Sequence, residues 1–306
     1  MFIAQPNRAD PKIAELIERI DEPLVRQHVE FLAGLGPRSV DDAESVSDTI
    51  AYLRAALESY GYKVDLEPFG AEPYEVNLIA EVRGTSFADT VLELGAHYDT
   101  VRGSPGADDN ASGVAGVLAV AEILKRAAIR RTIRFCLFGA EESGLRGSYA
   151  HVRAIRENTH QRVEGIAVFE MIGYRTQAPK SQRTPVRIPL VIWPPRMGDF
   201  IAVVSNFRSR RIAIRFEQAA ARYVPELRVY AVKRLGDFFR DATRSDHLPY
   251  WRNRLSGVMI TDTANFRNPN YHKPTDTAET LDYEFLVSVS RTAAAMLLEW
   301  ACESDG

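Results

Sequence analysis

Cysteine is nearly absent from this 306-residue chain, which carries only Cys136 and Cys302. Both sit among apolar residues, and two separate buried thiols suit that setting better than one bridge. A disulfide-stapled fold and a thiolate-built metal site are both disfavoured. Charge of one sign is also scarce. The chain has 38 basic and 41 acidic residues, a net charge of −3, so bulk electrostatics call for neither nucleic acid nor an anionic membrane. The one basic run, RSRRIAIR over 208–215, has no aromatic residues interleaved and reads as a solvated helix face. The opening segment, MFIAQPNRADPKIAELIERI, lacks a basic start followed by an apolar core of signal-peptide length. Charged residues interrupt the apolar runs before they reach membrane-spanning length. The expectation is a cytoplasmic chain with no membrane partner. Familiar catalytic signatures are missing as well: HExxH, HxxEH, GxSxG, GxGxxG and the Walker loop.

What is present is an ordinary globular composition, 45% apolar and 26% charged. Apolar residues recur at helical spacing over 13–20, 24–35 and 42–60, the last closed by Gly61. Strands are expected at 62–68 and 76–82, joined as a hairpin, and then at 90–96, 132–138, 163–169, 227–232 and 257–261. Helical patterns fill 112–127, 147–156, 199–207, 210–223 and 283–301. Strands alternating with helices give an α/β fold whose sheet has helices on both faces. The stretch 173–243 is less regular, with prolines at 179, 185, 189, 194 and 195. It reads as an elaboration covering the active site of a single domain, 1–306.

The polar residues that follow the strands carry the chemistry. His97 and Asp99 come after 90–96, Glu141 and Glu142 after 132–138, and Glu170 after 163–169. His272 lies in the loop beyond 257–261, and a Gly/Ser/Pro loop delivers Asp108 and Asp109 to the start of a helix. Open α/β sheets bind ligands outside the carboxyl ends of their strands, so these loop tips converge on one edge. Each residue alone has a bland alternative, such as a strand-end histidine satisfied by a neighbour or an exposed acidic turn. Together His97, Asp109, Glu142, Glu170 and His272 supply the donors for two zinc ions about 3.5–4 Å apart with one shared ligand. Glu141 is left beside a ligand, placed to serve as general base on a metal-held water. Asp99 is placed to accept the second imidazole N–H of His97 and hold its tautomer.

These residues lie in six motifs: AHYD (96–99), GADDNASG (106–113), GAEESGLRGS (139–148), FEMIGY (169–174), SDH (245–247) and NPNYHKPTDT (268–277). In order and spacing the set resembles metallopeptidase family 28, the co-catalytic zinc exopeptidases, over roughly 32–300. The resemblance implies a three-layer α/β/α fold with a central mixed, mostly parallel sheet. It implies two Zn2+ per chain bridged by Asp109, with His97 and Glu170 on one ion and Glu142 and His272 on the other. It further implies a cis peptide at Asp109–Asn110, Tyr271 helping to hold the developing oxyanion, and a supporting role for SDH. Two departures stand out: Glu170 where many relatives carry Asp, and Asn110 in place of a frequent third Asp. The activity implied is that of an aminopeptidase acting on peptides with a free N-terminus. A glutaminyl cyclase-like acyltransferase and a binding module that has lost catalysis are the alternatives.

Overall fold

In the computed structural model, residues 8–184, 195–234 and 236–304 are described. Pro185, Pro189 and Pro194 lie outside them. Three helices open the chain, α1 (Pro11–Ile17), α2 (Glu22–Gly34) and α3 (Ala43–Ser59), and each starts on an aspartate. The side chains of Asp10, Asp21 and Asp42 accept the N–H groups of Lys12, Leu24 and Ser45, satisfying donors that a helix start leaves unpaired. After α3 the chain turns at Gly61, with φ at 94°.

Strands β1 (Asp65–Pro68) and β2 (Val76–Val82) form an antiparallel hairpin, with Asp65 opposite Ile79. The chain then alternates: β3 (Phe87–His97), α4 (Gly113–Leu124), β4 (Arg131–Phe138), α5 (Arg146–Glu157) and β5 (Arg162–Glu170). The remainder contributes β6 (Ile201–Ser205), α6 (Arg210–Tyr223), β7 (Val229–Val232), α7 (Leu248–Arg252), β8 (Gly257–Thr261) and α8 (Tyr283–Cys302). All eight strands join one sheet in the order β1-β2-β4-β3-β5-β8-β6-β7. Its centre, β4-β3-β5-β8, is parallel, and antiparallel pairs lie on either side. This is the mixed, mostly parallel α/β architecture expected.

The helix expected over 199–207 is not there. Residues 199–207 hold a strand, β6, instead of a helix. Its β-branched residues Ile201 and Val203 alternate with Ala202 and Val204, and only the first pair joins the main core. The strand pairs with β8, Ala202 opposite Thr261, and with β7, Ile201 opposite Val229. Two-sided pairing suits the period-2 pattern and overrides the weak helical one.

The sheet buries its two faces unequally. Leu92, Leu94, Phe135, Leu137, Phe169 and Val203 pack under α2, α4, α6 and α8 in the main core. On the other face Cys136, Phe138, Ile166 and Val168 meet Val152 of α5 and Tyr250. Helix α8 is long and apolar enough to cross a membrane by length and composition, so charge interrupts it less than the sequence pattern promised. In this fold 78% of its most apolar window is buried. In the basic run at its neighbour α6, Arg208 and Arg211 are exposed as expected, while Arg215 pairs with Glu303 at 2.5 Å and lies over Trp300. Both cysteines are free, and Cys302, expected inside, is exposed near the chain end.

A polar network lies within the second face. Glu93, fully buried on β3, receives Arg134 at 2.8 Å, Tyr250 at 2.6 Å and His151 at 3.2 Å. The other ring nitrogen of His151 meets Glu67 at 3.1 Å. His151 is thus a buried link between two glutamates. Burial opposes the charge on Glu93, but His151 and Arg134 outweigh it and hold the carboxyl down at about 2. Tyr250→Phe removes a hydrogen bond to a buried charge and should cost ~1.5–3 kcal/mol in urea unfolding. Because the folded pKa of Glu93 lies below its ordinary 4.5, its contribution is complete above that value and is lost as pH falls toward 2. Urea midpoints of the metal-free protein between pH 2 and 6 should follow that decline, and Glu93→Gln should flatten it.

Candidate metal centre

Three strand ends and two loops deliver the site. His97 closes β3 and Glu170 closes β5, so the register that pairs Leu94 with Ala167 sets both side chains at the same edge. Glu141 and Glu142 follow β4, after Ala140 at φ 57°. Met171, directly after Glu170, and His272 itself also have positive φ, 53° and 58°. Left-handed backbone costs a non-glycine residue roughly 1 kcal/mol or more, and here three such positions adjoin or carry metal-type donors.

The side chains gather into two groups that share Asp109. His97 Nε2 lies 3.4 Å from Asp109 Oδ1 and 3.5 Å from Glu170 Oε2. His272 Nε2 lies 3.1 Å from Asp109 Oδ2 and 3.1 Å from Glu142 Oε1. The two oxygens of Asp109 thus face different histidines, as a bridging carboxylate must. A carboxylate oxygen of Glu141 stands within 4.8 Å of the donor atoms of His97 and Glu170. The buried atoms His97 Nε2, Asp109 Oδ1 and Glu142 Oε1 have no hydrogen-bond partner. Buried polar atoms are rarely left so, and imidazole with carboxylate is a donor set suited to zinc.

Crowding and burial shift the titration of these groups. Burial first, with Glu170 and Asp246 adding and His97 opposing, holds the Glu141 carboxyl well above its ordinary 4.5. Burial and the charge on Asp109 push Glu142 up to about 7. Burial opposes charge on His272, but Asp109 and Glu142 raise it to about 9. Binding a cation at these donors would release protons.

The supporting bonds run between arms. The Asp99 carboxylate accepts the N–H groups of Glu141 at 3.0 Å and Glu142 at 3.1 Å. The imidazole Nδ1 of His97 meets the Asp99 main-chain oxygen at 3.1 Å and its carboxylate only at 3.5 Å. Asp99 thus orients His97 through its backbone and spends its side chain on the glutamate turn. Asp108 turns away from the donors: it accepts Gly173 N–H at 2.9 Å and Asn268 Nδ2 at 2.6 Å. The Asp109–Asn110 peptide is cis. Asn110 donates to Phe169 O and accepts Met171 N–H. Its amide donor is a bond that an aspartate could not make. Glu170 accepts Ser245 Oγ at 2.6 Å, and Asp276 accepts the N–H groups of Asp108 and Asp109. Asp246 is buried near Glu141, and burial raises its pKa to about 7. His247, by contrast, bonds Ala242 O at 2.8 Å and packs on Trp251, away from the donors. The Tyr271 ring stacks on His272, and its hydroxyl accepts Arg244 at 2.7 Å.

Among the described residues a third donor group exists, Glu93, Cys136 and His151. It differs in kind. Arg134, Tyr250 and Glu67 already satisfy its glutamate and histidine, and burial pushes the Cys136 thiol up to about 11. Protons and Arg134 hold that group together, with no donor atom left over.

Beside Glu170 and Tyr271 opens a cavity of about 170 Å³. Its apolar wall comes from the face of β6, β7 and β8 left outside the main core: Ala202, Val204, Tyr230, Val232 and Met259, with Phe200. Arg183, Arg244 and Asp241 stand among its polar lining.

The model of Peptidase family M28 matches residues 77–297. The chain belongs to this family. The M28 chain is 34% identical to "Uncharacterized protein YfbL" of Escherichia coli over 268 residues, covering 83% of itself and 80% of that protein. It is 37% identical to "Leupeptin-inactivating enzyme 1" of Streptomyces exfoliatus over 130 residues, 41% of this chain and 29% of that one. In structure it matches LapA aminopeptidase of Legionella pneumophila with a TM-score of 0.80 at 21% identity, over 100% of this chain and 78% of LapA. It matches BSAP, a zinc aminopeptidase of Bacillus subtilis, at 0.73 and 15%, covering 94% and 97%. A glutaminyl cyclase of Bacteroides thetaiotaomicron matches at 0.66 and 18%, covering 92% and 98%. At these identities the structural likeness is one of fold, and that fold hosts both chemistries. The family is one of zinc-dependent peptidases.

Zinc at a hundred times its dissociation constant should stabilise metal-stripped protein by ~2.7 kcal/mol, seen as a raised thermal midpoint. Asp109→Ala should abolish that gain.

Proposed function

We propose that this M28 chain is an aminopeptidase that holds two zinc ions and removes N-terminal residues from peptides. The observation that carries the reading is the pair of donor groups meeting at Asp109, with Glu141 beside one of them. His97 and Glu170 would hold one ion, Glu142 and His272 the other, and Asp109 both. When bound, the ions would polarise the scissile carbonyl and make a water acidic enough to serve as nucleophile near neutral pH. The chain's own residues supply the remaining steps. Glu141, buried and raised in pKa, takes the proton from the attacking water and returns it to the leaving amine. Tyr271 presents its hydroxyl toward the developing oxyanion, steadied by its stack on His272. The free amine of the substrate sits among the carboxylates, where a blocked N-terminus would bring no positive charge.

The apolar cavity beside Glu170 takes the side chain of the residue to be released. Its aliphatic and aromatic wall selects leucine, methionine or phenylalanine over lysine or glutamate. The full second donor group, Glu142 with His272, supports two metals and therefore hydrolysis over single-metal cyclisation.

Glu141→Gln should retain both zinc ions by elemental analysis and lower the turnover of leucyl anilide about 10²–10⁴-fold. Retained turnover removes Glu141 from the role of base. Across aminoacyl anilides, leucyl, methionyl and phenylalanyl substrates should lead, and their N-acetylated forms should resist. Hydrolysis confined to N-blocked peptides would reject the aminopeptidase reading. One zinc per chain with cyclisation of a peptide beginning in glutamine would reverse it in favour of acyl transfer.

A further inference from the structure

Arg38 is the bulkiest of the fully buried side chains, and it has no exposed surface at all. A buried guanidinium normally faces a carboxylate. This one donates instead to neutral main-chain oxygens: Tyr98 at 2.9 Å, Leu32 at 2.8 Å, Pro105 at 2.6 Å and Gly106 at 2.9 Å, with Gly36 more distant at 3.5 Å. Its own backbone pairs both ways with Thr100: Arg38 N–H donates to Thr100 Oγ1 at 2.8 Å, and Thr100 N–H donates to Arg38 O at 3.2 Å.

These partners belong to three stretches of chain. Leu32 and Gly36 lie at the end of α2. Tyr98 follows His97 directly. Pro105 and Gly106 open the turn that delivers Asp109. The spacing at Gly106 is too tight for any other residue: an added Cβ would stand 2.3 Å from Asp109 O, and φ there is 60°. The guanidinium thus braces the His97 arm and the Asp109 arm against one helix end. The guanidinium presents five donors in a rigid fork, and lysine cannot substitute for it in reaching several carbonyl groups at once.

We propose that Arg38 is a positioning residue for the metal centre, setting the separation between His97 and Asp109 by tying Tyr98 to the Pro105–Gly106 turn. The inference rests on the zinc reading above. It adds that metal affinity depends on a side chain that touches neither donor. Supporting groups of this kind typically change metal affinity 10–100-fold when altered.

The test compares zinc affinity and stoichiometry, by chelator competition on folded protein, for wild type, Arg38→Lys and Arg38→Met. Arg38→Lys keeps the charge and loses the fork, so it isolates geometry from electrostatics. Arg134→Lys, which disturbs another buried arginine, is the control for general loss of stability. Both Arg38 variants should weaken zinc binding tenfold or more, while Arg134→Lys binds zinc as wild type does. A lowered thermal midpoint with unchanged zinc affinity would make Arg38 merely structural and overturn the inference, leaving the zinc reading standing. Wild-type protein that binds no zinc would overturn both. Should neither Arg38 variant fold, Thr100→Val carries the test, since it removes the hydroxyl that seats Arg38 and leaves the fork intact. Its zinc affinity should fall about threefold or more, and an unchanged value would overturn the inference.

Discussion

Like charges confined in a small dry space govern this structure. Asp99, Asp109, Glu141 and Asp246 are buried at one end of the sheet, and Glu142 and Glu170 are nearly so. Several carboxylates that close cannot all stay ionised without a cation. The chain answers in two ways. Burial and mutual repulsion raise the carboxyls of Glu141, Glu142 and Asp246, while neighbouring acids raise His97 and His272 against the opposing effect of burial. The chain also distributes main-chain N–H groups, so that Asp99 and Asp276 are satisfied by the backbones of the very segments that carry Glu141, Glu142 and Asp109. Each arm of the site is therefore held by a different arm. No single loop could be moved without loosening another.

That interdependence explains which parts were legible in the sequence. The donors His97, Asp109, Glu142, Glu170 and His272 announce themselves by type and by their positions after apolar strands. The architecture follows from the alternation of strands and helices. What escaped is what depends on long-range contact. Arg38 looks like any loop arginine until the chain closes around it. Glu93 and His151 lie 58 residues apart, and no local pattern marks them as partners. Asp99 is close enough to His97 to look like its tautomer anchor, yet three dimensions give its carboxylate better donors. Residues 199–207 carry an ambiguous period, resolved only by strands on both sides. Cys302 sits in an apolar setting, but the helix ends there and leaves it exposed.

On the proposed reading, specificity and catalysis draw on the two halves of the sheet differently. The parallel centre provides the donors at its strand ends. The edge made by β6 and β7, with β8, provides a bare apolar face next to them. The M28 fold can keep the first part constant while the second varies, since changes to Val204, Tyr230 or Val232 leave the hydrogen bonds of the metal arms untouched. The departures at Glu170 and Asn110 fit the same division. Ser245 seats the longer carboxylate, and the Asn110 amide binds the end of β5 with a donor that an acid lacks.

The position of α8 has a consequence for how the protein comes into being. It packs against α1, α2, α4, α6 and β4, and it supplies much of the main core from Tyr283 to Ala301. Every candidate metal donor, His272 included, is synthesised before this helix. Until then α4 and the back of the sheet expose the apolar surface that α8 will cover. The nascent chain is thus an incomplete core with a nearly complete set of donors, reliant on holding factors or on speed to avoid aggregation. The last twenty-residue helix closes the hydrophobic interior long after the chemistry has been encoded.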